Sequence, residues 1–283
     1  MRFGTKPQPS APPAVGILLA MHRTGFPFLD DGGPVLAFAH RGGARHPDLV
    51  GRENTMAAFR HAEALGYRYL ETDVHLTRDG VLVAFHDALL DRVSDGVGSI
   101  ADLDTAGLAR VRVAGEQVPT LAEVVDAFPE ARFNLDLKAD AAVAPLAAFV
   151  TERGLEDRVL VGSFSWRRLH RFRALVGPRV PTSAAPVEVA AYVVLPGRLA
   201  RRLAPHVAAL QVPHRLRRLP VTTAALVRRA HRVGVQVHVW TVDDPDEMRL
   251  LLRHGVDGLM TDRTDLLAAL LRERGLWPQA RAS

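Results

Sequence analysis

The feature that most limits how this chain can fold is a repeated alternation of short apolar runs with helix-periodic stretches. Apolar runs of strand length occur at residues 35–39, 69–74, 81–85, 133–137, 159–162, 179–182, 208–212, 235–241 and 257–260. Most are separated by stretches with helical spacing, at 55–65, 121–128, 141–153, 166–175, 186–195, 222–233, 245–254 and 264–274. Strands joined through a crossover helix pair in parallel, so the pattern predicts an α/β fold. Eight or nine such steps within ~250 residues fit a closed (β/α)8 TIM-type barrel better than an open doubly wound sheet. No Gly-x-Gly-x-x-Gly follows a strand, which counts against a dinucleotide-binding sheet.

One step breaks the alternation. Between Asp73 and Val81 there is no room for a helix, and Thr77-Arg78-Asp79-Gly80 is a turn signal. The expectation is a tight hairpin-like connection between the second and third strands. Centred on Arg78-Asp79, it pairs Asp73 with Ala84 and Glu71 with His86. Residues 94–118 read as an inserted loop region with a short helix near 103–110. No linker or internal repeat divides the chain. The expected organisation is an N-terminal tail and lead-in (1–33, partly disordered), one barrel domain (34–274) and a C-terminal tail (275–283). The apolar run 15–21 is too short to span a bilayer and has no clear cleavage site of the signal-peptide type. Met21 is a candidate for the true start. The expected location is cytoplasmic, without stable membrane insertion.

The chemistry-bearing residues sit at predicted strand ends. His40 follows one apolar run and leads into Arg41-Gly42-Gly43, and His86-Asp87 ends another. Two imidazoles can divide acid and base roles near neutral pH. Glu71 and Asp73 are two apart, so on a strand they share a face. Such a pair is either solvated or held by a hard cation. Asp136 ends a further strand and offers a third oxygen ligand. With no cysteine in the chain, any metal must use oxygen or imidazole ligands, and disulfides and thiolate nucleophiles are excluded. Lysine occurs only at Lys6 and Lys138, and Lys138 stands two residues after Asp136. Glu53 lies in the first strand–helix connection, and Asn54 or Thr55 is the expected helix cap. Phe164 and Trp240 follow or close strands, as core aromatics or as walls for a substrate. The net charge of +5 weakly favours anionic partners. There is no run of basic residues interleaved with aromatics, so nucleic-acid binding is not expected.

His40-Arg41-Gly42, Glu53-Asn54-Thr55, Glu71-x-Asp73, Leu76-Thr77-Arg78-Asp79-Gly80, His86-Asp87, Pro119-Thr120-Leu121, Asp136-x-Lys138, Ser163-Phe164, Trp240-Thr241-Val242 and the run from Gly255 to Asp262 occur in this order. A chain carrying this series resembles the glycerophosphodiester phosphodiesterase family, part of the phosphatidylinositol phospholipase C-like barrels. The resemblance spans about residues 35–271. It implies a TIM-type barrel, one divalent cation (Mg2+ or Ca2+) and hydrolysis of small glycerophosphodiesters to an alcohol and sn-glycerol 3-phosphate. It also implies that His40 and His86 are the acid/base pair and that Glu71, Asp73 and Asp136 hold the metal. Arg41, Glu53, Lys138, Phe164 and Trp240 are then expected near the phosphate or substrate. Asp136 stands where the family usually has the longer glutamate, and Asp243 where asparagine is common, a change expected to alter the glycerol or head-group pocket. The alternatives are a lysophospholipase D-like hydrolase on the same core and a non-catalytic barrel that binds a phosphate ligand. No apolar rim for long-chain substrates stands out in the sequence, so soluble diesters are the favoured expectation.

Overall fold

The computed structural model describes residues 24–30, 33–217 and 219–277. The expected tail at 1–13 and the alternative start at Met21 lie outside the described residues. Eight parallel strands close into a barrel: Leu36–Ala39, Tyr69–Leu76, Arg132–Leu137, Val159–Gly162, Thr182–Ser183, Val207–Pro213, Gln236–Trp240 and Gly258–Thr261. The first strand pairs with both the second and the eighth, which completes the ring. Helices return the chain from each strand to the next, as the alternation predicts. Several start on a side-chain cap. Thr55 accepts from Ala58 N, Ser165 from Arg168 N and Thr223 from Leu226 N. Thr120 and Glu123 form a reciprocal capping box.

Two apolar layers hold the barrel. The outer one lies between strands and helices. The inner one contains Phe38, Tyr69, Leu160 and Met260, and it takes in Phe28 and Leu29 from a short helix, Pro27–Asp30. Tyr69 Oη donates to Phe28 O at 2.7 Å, and the two rings meet edge-on at 5.2 Å. Tyr69 opens its strand, so this helix plugs the N-terminal end of the barrel and leaves the C-terminal end open.

The hairpin after the second strand is present. Its return strand, Leu82–Ala84, runs antiparallel outside the ring. The register differs by one residue from the expectation. Val74, and not Asp73, pairs with Ala84, and Asp73 O accepts from Phe85 N. The cause is the turn. Thr77 closes on Val81 around Arg78-Asp79-Gly80, and Gly80 takes a left-handed φ of 86°. This is a three-residue loop where a two-residue one was expected. The following excursion packs its own small core, including Val83, Phe85, Ile100 and Leu108, against the hairpin. Its helix spans Thr105–Leu108, shorter than the sequence predicts. A second helix between the fifth and sixth strands, Gly197–Leu203, was not expected. Nor was a small hairpin after the sixth strand, Arg215–Leu216 with Leu219–Pro220.

Candidate active site

Barrel register decides which residues meet at the open end. Ala39 pairs with Thr261, so the residues that follow, His40 and Asp262, come side by side. His40 Nδ1 lies 2.7 Å from Asp262 Oδ1. Asp73 pairs with Asp136 on the neighbouring strand, which brings both carboxylates to one height. The turn after His40 is tight. Arg41, Gly42 and Gly43 all have positive φ. A Cβ on Gly42 would lie 2.7 Å from Ala58 Cβ, and one on Gly43 2.8 Å from Thr264. Only glycine allows this approach of turn to helix. In return, Arg41 N donates to Glu71 Oε2 at 3.0 Å.

A cavity of about 440 Å³ opens here, lined on one side by His40, Arg41, Glu71, Asp73, His86, Asp136 and Lys138. The other side is largely apolar and includes Phe164, Pro186, Val189, Leu216, Val221 and Trp240. Phe164 and Trp240 meet edge-on at 5.7 Å, and Lys138 Nζ lies 5.8 Å from the centre of the Phe164 ring. Of the ten residues singled out in the sequence, nine line this one cavity. Glu53 does not. It sits behind Arg41, taking a hydrogen bond from it at 3.2 Å and two from Arg92.

Each histidine is oriented through Nδ1. His40 is held by Asp262, and His86 Nδ1 lies 2.5 Å from Asp87 Oδ1, itself bonded by Arg92. With Nδ1 engaged, Nε2 is the ring atom left to work in the cavity. His40 Nε2 is 3.8 Å from Glu71 Oε2. Burial opposes the charge on His40, but Glu71 and Asp262 outweigh it and raise its pKa.

The carboxylates are buried and unevenly compensated. Lys138 Nζ sits 3.0 Å from Asp73 Oδ1 and 2.6 Å from Asp136 Oδ2. Burial works against the Lys138 charge, but these two acids push its pKa up to about 12. Burial also favours neutral Asp73, yet Lys138 and Arg41 hold it below the usual carboxylate range. Asn54 Nδ2 donates to Asp73 Oδ2 at 3.0 Å, with Thr72 bracing the amide. Burial, reinforced by the charge on Asp73, pushes Glu71 up to about 7. Asp136 is raised by burial, and its Oδ1 is buried without a hydrogen-bond partner.

This donor set fits a hard divalent cation. Three carboxylates face one cavity, one oxygen has no hydrogen-bond partner, and burial beside Asp73 raises Glu71 to about 7. Asp136, one methylene shorter than the glutamate usual in the family, is engaged by Lys138 through its other oxygen. Among the described residues, the three side chains whose ligand atoms come within 4.8 Å of one another are instead His46, Asp48 and His61. His46 and His61 meet Nε2 to Nε2 at 3.3 Å, while His46 Nδ1 accepts from Asp48 N. That bond leaves the proton on one Nε2, so the contact reads as a hydrogen bond between two neutral rings.

Asp243 does not reach the cavity. Its Oδ1 accepts from Thr261 Oγ1 at 3.0 Å and Asp262 N at 2.9 Å, so it steadies the loop that carries Asp262. This corrects the head-group role expected for it. On the cavity floor, which Asn134 and Gln211 also line, Gln211 donates to Asn134 at 2.7 Å and meets the deeper His238 at 3.4 Å, and His238 bonds Gln236. Burial pushes His238 down to about 4, so this inner ring is neutral.

A model of the glycerophosphoryl diester phosphodiesterase family matches residues 40–266. A protein of Mycobacterium tuberculosis named probable glycerophosphodiester phosphodiesterase 2 is 42% identical over 263 residues, covering 89% of this chain and 96% of that one. The glycerophosphodiester phosphodiesterase of Caldanaerobacter subterraneus subsp. tengcongensis is 30% identical over 255 residues, covering 85% and 99%. A solved phosphodiesterase of Oleispira antarctica, in complex with the product sn-glycerol-3-phosphate, aligns with a TM-score of 0.69 at 23% identity, over 86% of this chain and 98% of that one.

Proposed function

The chain belongs to the glycerophosphoryl diester phosphodiesterase family, and from that membership we propose that it cleaves glycerophosphodiesters to an alcohol and sn-glycerol 3-phosphate, using His40 and His86 as acid and base and a divalent cation as cofactor. The observation that carries this reading is the matched pair of His–Asp contacts, His40–Asp262 and His86–Asp87, on one cavity that also holds three carboxylates and two cations.

Glu71, Asp73 and Asp136 are the residues that would hold the metal. When bound, a divalent cation offsets charge on the phosphate oxygens. Arg41 and Lys138 attract and orient the phosphodiester, and their charges oppose the negative charge that builds up on it. One histidine accepts the proton of the attacking oxygen at Nε2, and the other donates from Nε2 to the departing alcohol. Asp262 and Asp87 keep each ring in the tautomer this needs and stabilise it when protonated. If the attacking oxygen is the glycerol 2-hydroxyl, the two reacting groups belong to one molecule and no encounter is required. That hydroxyl then bonds to phosphorus as the bond to the alcohol breaks, the alcohol leaves with the proton from the second histidine, and water opens the resulting cyclic glycerol phosphate with the histidine roles exchanged.

A second reading, hydrolysis of diesters whose glycerol keeps an acyl chain, is favoured by the apolar wall from Phe164 to Trp240. A non-catalytic phosphate-binding barrel would have no use for two oriented imidazoles. The test is release of sn-glycerol 3-phosphate from glycerophosphocholine, with and without chelator. Release that stops on chelation and returns with Mg2+ or Ca2+ supports the proposal. Release unaffected by chelation removes the metal from it.

A further inference from the structure

The hairpin between the sixth barrel strand and the next helix is not used by the phosphodiester chemistry. Arg215–Leu216 and Leu219–Pro220 pair antiparallel, and Arg217 begins the turn between them with a φ of 55°. Leu216 stands directly opposite Leu219, so the two side chains project together from one face. They are 63% and 70% exposed. Leu216 also lines the cavity, as does Phe164, itself 62% exposed. The leucine pair therefore extends the apolar side of the cavity out into solvent.

A ladder of two residue pairs has little stability of its own. Side-by-side leucines on it gain nothing from water. Their chain neighbours are basic: Arg215 and Arg217 are both exposed, and the acid nearest Arg215, Glu247, is 4.0 Å away. Paired leucines beside arginines match the boundary of an anionic bilayer, where hydrocarbon meets acyl chains and guanidinium groups meet phosphates. A second copy of this chain is a poorer occupant, because it would bring two arginine-rich tips together.

We propose that the Arg215–Pro220 hairpin docks the mouth of the barrel on an anionic phospholipid surface. The docking is peripheral, and it turns the active-site opening toward the layer from which lipid-derived diesters come. It goes beyond the proposed reaction and does not depend on it.

The full chain is sedimented with vesicles of phosphatidylcholine alone and of phosphatidylcholine with phosphatidylglycerol in equal parts. The expected result is binding to the mixed vesicles only, weakened by salt. Leu219 does not line the cavity, so L219S should lower vesicle partitioning by roughly ten-fold while leaving turnover of soluble glycerophosphocholine unchanged. R217E should also release the protein from the mixed vesicles. Equal binding by wild type and L219S, or no binding by wild type, would overturn the proposal. So would a lipid-free dimer that L219S abolishes, which would assign the hairpin to a second copy.

Discussion

His40 and Asp262 are separated by 222 positions in the chain, yet His40 Nδ1 lies 2.7 Å from Asp262 Oδ1. The contact exists because the first and last barrel strands pair Ala39 with Thr261. Closing the barrel thus sets the tautomer of a catalytic candidate.

Asp262→Asn keeps the shape of this contact but removes its charge and favours the wrong tautomer. The expected outcome is a fall in kcat of at least ~10²-fold with KM nearly unchanged. Steady-state kinetics on glycerophosphocholine checks it, and a change confined to KM would contradict the orienting role.

Lys138→Met leaves Asp73 and Asp136 facing each other without the ammonium between them. Removing one partner of a largely buried ion network should cost about 2–4 kcal/mol, read as a lower urea midpoint. Activity should fall by ~10²-fold or more, because the phosphate loses a positive partner. An unchanged midpoint would show that the two acids do not depend on Lys138.

Gly42→Ala places a Cβ against Ala58 in a backbone with φ of 81°. Strain and clash together should cost about 2 kcal/mol or more. The turn also carries His40 and Arg41, so activity should drop further than folding alone explains. Thermal melting alongside kinetics at a temperature where the variant is folded separates the two.

His238 adds a pH dependence to stability. Its folded pKa, about 4, is below the ordinary value of 6.5. The unfolded chain therefore binds the proton first as pH falls. Stability from this group is full above pH ~6.5 and is lost progressively down to ~4, by up to roughly 3 kcal/mol. Urea midpoints between pH 7 and 4 should show a slope that is smaller in His238→Gln. Parallel curves would contradict the assignment.

The barrel was legible because all but one step repeats the same apolar alternation, and most of the cavity because polar residues within or just after the apolar runs carry it. What escaped depends on long-range register. Asp262 gains its role only when the ring closes, and the sequence offered it merely as the last residue of the run from Gly255. Of the two expected helix caps, Asn54 and Thr55, Thr55 is the cap, and Asn54 turns inward to Asp73, a role with no signal in the sequence. Asn134, Gln211 and His238 lie within strand runs, where single polar residues give no signal until their neighbours are known. The Arg215–Pro220 hairpin has strands of two residues, too short to form a pattern. The one-residue slip at Gly80 shows how a single left-handed residue moves a strand partner.

The central claim is that His40 and His86 together move the protons of a phosphodiester cleavage. The direct measurement is the rate of sn-glycerol 3-phosphate release from glycerophosphocholine by wild type, His40→Gln and His86→Gln, each shown to be folded. The account predicts that each variant is slower by at least ~10²-fold. A near-normal rate in either variant, or no sn-glycerol 3-phosphate from the wild type, would contradict it.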